Sequence, residues 1–194
     1  MMSLLHAGAT VLPEHRDIDR ARRPIGPLAV VVAALSLGAC VPSGHLGRET
    51  APSPVFDPVA FFAGDTRGDG SLKIVLHHRQ ATMVAGHGVV TPQGGIVLDQ
   101  DVRRGTAPPS HRTWNLRRTG PGRYAGTLTD ATGPVTGEVA GNRLHLSFAM
   151  KGGLRAQQWL YLQPGGQVAR NRMVVSKFGV PVASLDETIR RTPA

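Results

Sequence analysis

From Thr66 onward the chain cannot run far without meeting a turn, and that spacing restricts its fold more than any other feature. The runs "SLKIVLHH", "ATMVAGHGVV", "GIVLDQDV", "HRTWNLRR", "RYAGTLT", "PVTGEVA", "RLHLSFAMK", "RAQQWLYLQ", "QVARNRMVVSKF" and "VPVASLDETI" are split by "TPQG", "TGPG", "DATG", "GN", "KGG" and "QPGG". Gly, Pro, Asn and Asp supply the backbone angles that tight turns require. Short strands at such regular spacing belong to an antiparallel sandwich or barrel. In "RLHLSFAM", Leu144, Leu146, Phe148 and Met150 share one face and Arg143, His145 and Ser147 the other. Strands with one apolar and one wet face close into an up-and-down barrel. About ten strands without a long crossover fit a meander better than a Greek key. The expected fold is therefore all-β, an antiparallel up-and-down, lipocalin-like barrel of about ten strands.

Two segments at the ends of this array need separate treatment. At the front, Asp57 is a good N-cap, Pro58 suits the first helical position, and Phe56 can staple onto Phe61. A short helix is predicted there, with Gly64 at its stop. So short a helix cannot persist alone, so Phe56, Phe61 and Phe62 are expected to plug one end of the barrel. At the back, Ser184 with Glu187 could form a capping box, yet Leu185, Glu187 and Ile189 alternate as a strand. Too few residues follow for a stable helix, so this run is assigned to a strand.

The chain has one cysteine, Cys40, at the end of "VVVAALSLGACV". A basic patch, "RARR" at residues 20–23, precedes an uncharged apolar stretch from Leu28 to Ala39. That is the order of a secretory signal, and the stretch is shorter than the roughly 20 residues that cross a bilayer as a helix. "LGAC" is similar to the lipobox of bacterial lipoproteins, which predicts cleavage between Ala39 and Cys40 and lipidation of the Cys40 thiol. Ordinary secretion is favoured over twin-arginine export at Arg22 and Arg23. Residues 1–39 are thus expected to be a signal peptide, 40–54 a Pro- and Gly-containing tether, and 55–194 the barrel domain. Val41 stands where an aspartate would signal inner-membrane retention, which points to the periplasmic face of an outer membrane.

The net charge is +9. A basic surface suits anionic lipid headgroups or acidic ligands, although the excess of Arg over Lys also fits a GC-rich genome. Export and the lack of a recognition-helix or RNP-like pattern argue against nucleic acid. His77 and His78 are adjacent and would point to opposite faces of a strand, while His87, His111 and His145 are scattered, so no metal site is expected. No Gly-x-Ser-x-Gly elbow or Ser-His-Asp order appears, and no catalytic residue is assigned. "GDTRGDGSLK" lacks the helix that a phosphate-binding loop needs, so Gly68 and Gly70 are taken to relieve a strand bend. No cofactor is expected, and the domain is expected to be a monomer.

"WLYLQPGGQVARNRMVVSKFGVPVASLDETIRR", from Trp159 to Arg191, resembles the ending of the domain of unknown function 3833 family. The matching marks are Trp159 with Tyr161, Asn171 with Arg172, and the block Ser176, Lys177, Phe178 and Gly179, which is the most specific. "FDPVAFFAGDTRGDG" is similar to the family's start and "RTWNLRRTGPGRYAGTLTDATGPVTGEVAGNRL" to its middle. The resemblance implies a lipocalin-like barrel, often on a lipoprotein, with no established activity. The chain departs from the family pattern at "RAQQ", where acidic residues often precede the tryptophan.

A barrel of this size either fills its interior with side chains or holds one small ligand. The ligand-binding candidates are Trp114 and Trp159 as apolar walls, with Asn171, Arg172 and Lys177, and also Arg112, as polar groups. In "ARNRMVVSKF" neither face is cleanly apolar, so polar groups point inward whichever way the strand turns. Either a structural network or a ligand anchor could use them. The first expectation is a barrel that binds an apolar or amphipathic ligand such as a fatty acyl group. The alternative is a packed barrel acting as a structural or protein-interaction lipoprotein. A cavity of several hundred Å3 beside Trp114 or Trp159 separates the two.

Overall fold

The computed structural model describes residues 50–193, and Cys40 with the expected signal peptide lies outside them. One short helix, α1 (Pro58–Phe62), precedes ten strands. These are β1 (Gly64–Ile74), β2 (Gln80–Val90), β3 (Ile96–Arg104), β4 (Ser110–Gly120), β5 (Arg123–Leu128), β6 (Val135–Ala140), β7 (Arg143–Met150), β8 (Leu154–Leu162), β9 (Val168–Lys177) and β10 (Val180–Arg191). Each pairs antiparallel with its sequence neighbours, and β10 returns to β1, so the sheet is a closed barrel. The last run is a strand, as its alternation predicts. Among the described residues no helix is long and apolar enough to cross a membrane.

Alternation places the core. In β7, Leu144, Leu146 and Phe148 are buried while the residues between them are partly exposed. The inward sets of β3 (Ile96, Leu98), β4 (Trp114, Leu116) and β8 (Ala156, Leu160, Leu162) join them in one cluster. The Trp114 and Phe148 rings meet edge to face, with centroids 5.5 Å apart. This geometry favours aromatic pairs because a positive ring edge meets a negative ring face.

The helix plugs one end. The Asp57 carboxylate accepts hydrogen bonds from the backbone N–H of Val59 at 2.9 Å and of Ala60 at 3.3 Å, which satisfies two donors at the helix start. Phe56 packs on Phe61 and Phe61 on Phe62, with centroids 5.3 and 4.9 Å apart, and all three rings are buried. Gly88 of β2 lets the helix approach, since a Cβ there would lie 1.9 Å from the carbonyl oxygen of Phe62. Arg118, a remote surface residue by its place in the sequence, reaches Asp57 at 3.4 Å and stacks on Tyr124.

The expected tether gives way to ordered chain earlier than Pro54. Ala51 donates to Oδ1 of Asn142 at 2.8 Å and accepts from the Asn142 N–H at 2.9 Å. Phe56 N–H donates to the Gly141 carbonyl at 2.9 Å. Gly141 and Asn142 form the β6–β7 turn, so residues 51–56 are held against the plugged end. The reason is local, because the buried Asn142 side chain needs partners and the Ala51 backbone supplies one.

Truncating a plug ring should be costly. Phe61→Ala or Phe62→Ala is predicted to lower unfolding free energy by roughly 3–5 kcal/mol. Arg155→Ala, at an exposed site, should change it by less than about 0.5 kcal/mol. Denaturant midpoints of the three variants check this.

Candidate functional site

Strand parity decides which expected site residues meet. In β8 the buried positions are Ala156, Gln158, Leu160 and Leu162. Trp159 therefore points out, where its ring stacks on His145 with centroids 5.2 Å apart. In β9, Ala169 and Asn171 are buried, so Arg172 points out beside Asp186, 3.9 Å away. Lys177 is exposed at the strand's end, its Nζ 5.7 Å from the Phe178 ring centroid. Trp159 and Arg172 thus do not line the interior, because adjacent strand residues face opposite sides, whereas Lys177 shares the phase of Asn171 and Val175 and leaves the interior because the strand ends there. Trp114, Arg112 and Asn171 do face inward.

Inside, two polar ladders oppose each other. On one wall Gln100 of β3 is cross-strand to Arg112 of β4. Its Oε1 accepts from Arg112 Nε at 2.8 Å and from Trp114 Nε1 at 2.9 Å. Gln100 thereby fixes both the guanidinium and the indole. On the other wall Asn171 of β9 is cross-strand to Glu187 of β10. Asn171 Nδ2 donates to Glu187 Oε2 at 2.8 Å. Gln158 is buried between these walls.

The Glu187 carboxylate fits because β1 has no side chain beneath it. A Cβ on Gly68 would lie 2.1 Å from Glu187 Oε1, and one on Gly70 would lie 2.9 Å from both Glu187 Cβ and Thr82 Oγ1. These glycines make room for the acid, a different role from the strand bend expected of them. Burial pushes the Glu187 carboxyl above its ordinary range, against the opposing effects of the Asn171 hydrogen bond and the Arg112 charge. Burial pulls the Arg112 guanidinium down, with Glu187 acting the other way. Three buried atoms here have no protein partner, namely Glu187 Oε1, Asn171 Oδ1 and Thr82 Oγ1.

The void beside this cluster holds about 30 Å3, lined by Gln100, Arg112, Trp114, Gln158 and Glu187 together with Phe62 of the plug. A water needs about 10–15 Å3 on this measure, so the space suits one or two waters. The larger concavities among the described residues include open grooves on the outer wall, such as one of about 540 Å3 beside Asn115, Arg117 and Thr127. Exposed His–Asp pairs also lie on the outer wall, His87 with Asp65 at 2.6 Å and His111 with Asp101 at 3.0 Å. The Asp101 hydrogen bond raises the pKa of His111. Among the described residues no three His, Cys, Asp or Glu side chains are placed to hold a metal ion.

Gln100, Gln158 and Glu187 were not among the expected site residues. The signal for two of them was a polar residue in phase with apolar neighbours, Leu98–Gln100–Val102 and Leu185–Glu187–Ile189.

Between the ordinary carboxyl value and its raised value in the fold, the folded protein holds a proton on Glu187 that the unfolded chain has released. The stability this supplies is full below the ordinary carboxyl value of 4.5 and is lost as pH rises through the raised value. Glu187→Gln is uncharged throughout and is predicted to outlast the wild type at neutral pH. The two should converge in acid, as thermal melts across pH would reveal.

A family model described as "Protein of unknown function (DUF3833)" matches residues 34–191. No curated protein matches the chain. Among solved structures, the S-type phycobiliprotein lyase CPES from Guillardia theta aligns at a TM-score of 0.57 and 7% identity, covering 70% of this chain and 91% of its own. A protein of unknown function from the DUF3598 family of Nostoc punctiforme aligns at a TM-score of 0.54 and 13% identity. That match covers 72% of this chain and 50% of the other. At such identities the likeness concerns the fold.

Proposed function

This chain belongs to the DUF3833 family, and we propose that it is a lipid-anchored envelope protein whose filled barrel works through its outer surface rather than as an interior carrier. One observation carries this, the interior void of about 30 Å3. Pockets that enclose drug-sized ligands measure roughly 300–1,000 Å3. The first expectation, a fatty acyl group inside the barrel, needs space that side chains now occupy. Phe62 of the plug and Ile96, Leu98, Leu116 and Ile189 line what remains.

The anchor rests on sequence. Cys40 closes a signal-like segment with a small-residue approach, Gly38 and Ala39. Lipidation with more than one acyl chain would hold the protein stably at a bilayer, since a single chain is only marginal. The periplasmic face of an outer membrane suits Val41. A monomer suits a barrel whose edge strands are paired to each other.

A second reading has its own support. The unpartnered atoms of Glu187, Asn171 and Thr82 would accept from or donate to a small polar group, and Arg112 lines the same void as Glu187. An amphipathic ligand with such a headgroup would have to displace the plug to bring in its tail.

Mass spectrometry of small molecules released from the purified protein tests the two. A filled barrel predicts no stoichiometric lipid apart from the acyl chains on Cys40. One free amphipath per barrel would establish the carrier reading instead. In the same cells, a palmitate analogue should label the wild type and not Cys40→Ser. Label on the serine variant would refute the anchor.

A further inference from the structure

The end of the barrel opposite the plug carries the β1–β2 and β9–β10 loops side by side. Val75 N–H donates to the Val182 carbonyl at 2.9 Å, which continues the β1–β10 ladder to the base of both loops. At the tips stand Leu76, 97% exposed, and Phe178, 89% exposed, with Val180 at 63% next to them. Large apolar residues so fully in water are a standing loss in an isolated protein. Their backbones add to it. Leu76 has φ of 65° and Phe178 of 50°, left-handed angles that bulky residues seldom adopt. Gly179, next to Phe178, already supplies a position of positive φ in this turn.

Cations surround the tips. Lys177 stands over the Phe178 ring. Lys73 donates to the His77 carbonyl at 2.6 Å, which places its charge within the β1–β2 loop. Arg79 lies in that loop, and Lys151 with Arg155 borders the neighbouring β7–β8 turn. The acid in the loops of this end is Asp130, in the β5–β6 connection. The turns at the plugged end, "TPQGG", "PG", "GN" and "QPGGQ", carry no charge at all. Charge and apolar exposure therefore coincide at one end of the barrel.

We propose that this end docks on an anionic lipid bilayer, with Leu76 and Phe178 entering the interface and Lys73, Arg79, Lys151 and Lys177 meeting the headgroups. An aromatic and an aliphatic side chain beside several cations match what interfacial binding requires, apolar insertion together with attraction to negative lipid. The positions are suited to it, since both tips project beyond the last rung of the ladder. Reach is sufficient as well. The ten residues from Cys40 to Thr50 span at most about 33–36 Å. Strands of this length, tilted in a barrel, make it about 30 Å tall. One membrane can therefore hold both the anchor and the far end. This rests on the surface-acting reading above and names its partner.

The test uses the full chain with Cys40→Ser, which removes the only thiol and any acyl anchor. A polarity-sensitive fluorophore is placed by His78→Cys beside the tips, and in a second protein by Thr119→Cys near the plugged end. Each is mixed with vesicles of phosphatidylcholine alone or of phosphatidylcholine with phosphatidylglycerol. A blue shift is expected at position 78 on the anionic vesicles only, diminished by added salt. Position 119 should not shift. Leu76→Asp with Phe178→Asp should weaken binding about tenfold or more, and unchanged circular dichroism would show the barrel intact. No shift at 78, or an equal shift in the aspartate variant, overturns the docking. So does a shift of equal size on vesicles without phosphatidylglycerol. None of these results touches the filled-barrel reading, which is decided by whether a free ligand is bound.

Discussion

Everything in this barrel depends on the seam between its first and last strands. β1 and β10 are paired from Thr66 opposite Arg191 to Ile74 opposite Ala183. Without that ladder the sheet would have two open edges, each a row of unpaired backbone groups. The seam is also where the least accommodating side chain of the interior lies. Glu187 on β10 occupies the space above Gly68 and Gly70 of β1, where no Cβ fits. Closure and the burial of this acid are one constraint, since a side chain at residue 68 would displace the carboxylate or part the strands.

A closed seam makes the plug effective. The three phenylalanines bury against one end, and the inward residues of β3, β4, β7 and β8 meet them. What is left in the middle is polar and almost full. Gln100 orients Arg112 and Trp114 on one wall, and Asn171 holds Glu187 on the other. Such a network specifies how the walls face each other, at the cost of three unpartnered atoms. The barrel is therefore packed in the middle and distinctive at its ends. One end receives the chain from Ala51, and the other presents Leu76 and Phe178.

The sequence revealed the repeating parts of this design and concealed its exceptions. Turn residues and alternation gave the strand number, and the capping signature of Asp57 and Pro58 gave the helix with its buried rings. Trp114 and Asn171, which face inward, stood among the ligand-binding candidates. Trp159 and Arg172 were not separable from them, because parity along a strand with polar residues on both faces has no apolar marker. Glu187 was visible as an acid between Leu185 and Ile189, but its partner space is an absence of side chains on another strand. Gly68 and Gly70 carry no sign of which strand will lie across from them. Phe178 likewise looked like part of a signature block, and only its place at the end of a closed barrel exposes it.

Amide hydrogen exchange across the seam measures the central claim most directly. If the barrel is closed and filled, the hydrogen-bonded amides of 66–72 and 185–189 exchange only through global unfolding. They should then show the same protection free energy as the amides of 144–148 in β7, far from the seam. Seam amides that exchange orders of magnitude faster than those of β7 would mean that β1 and β10 part in the native state. Such a barrel would admit ligands between its strands, and the closed, filled interior would be contradicted.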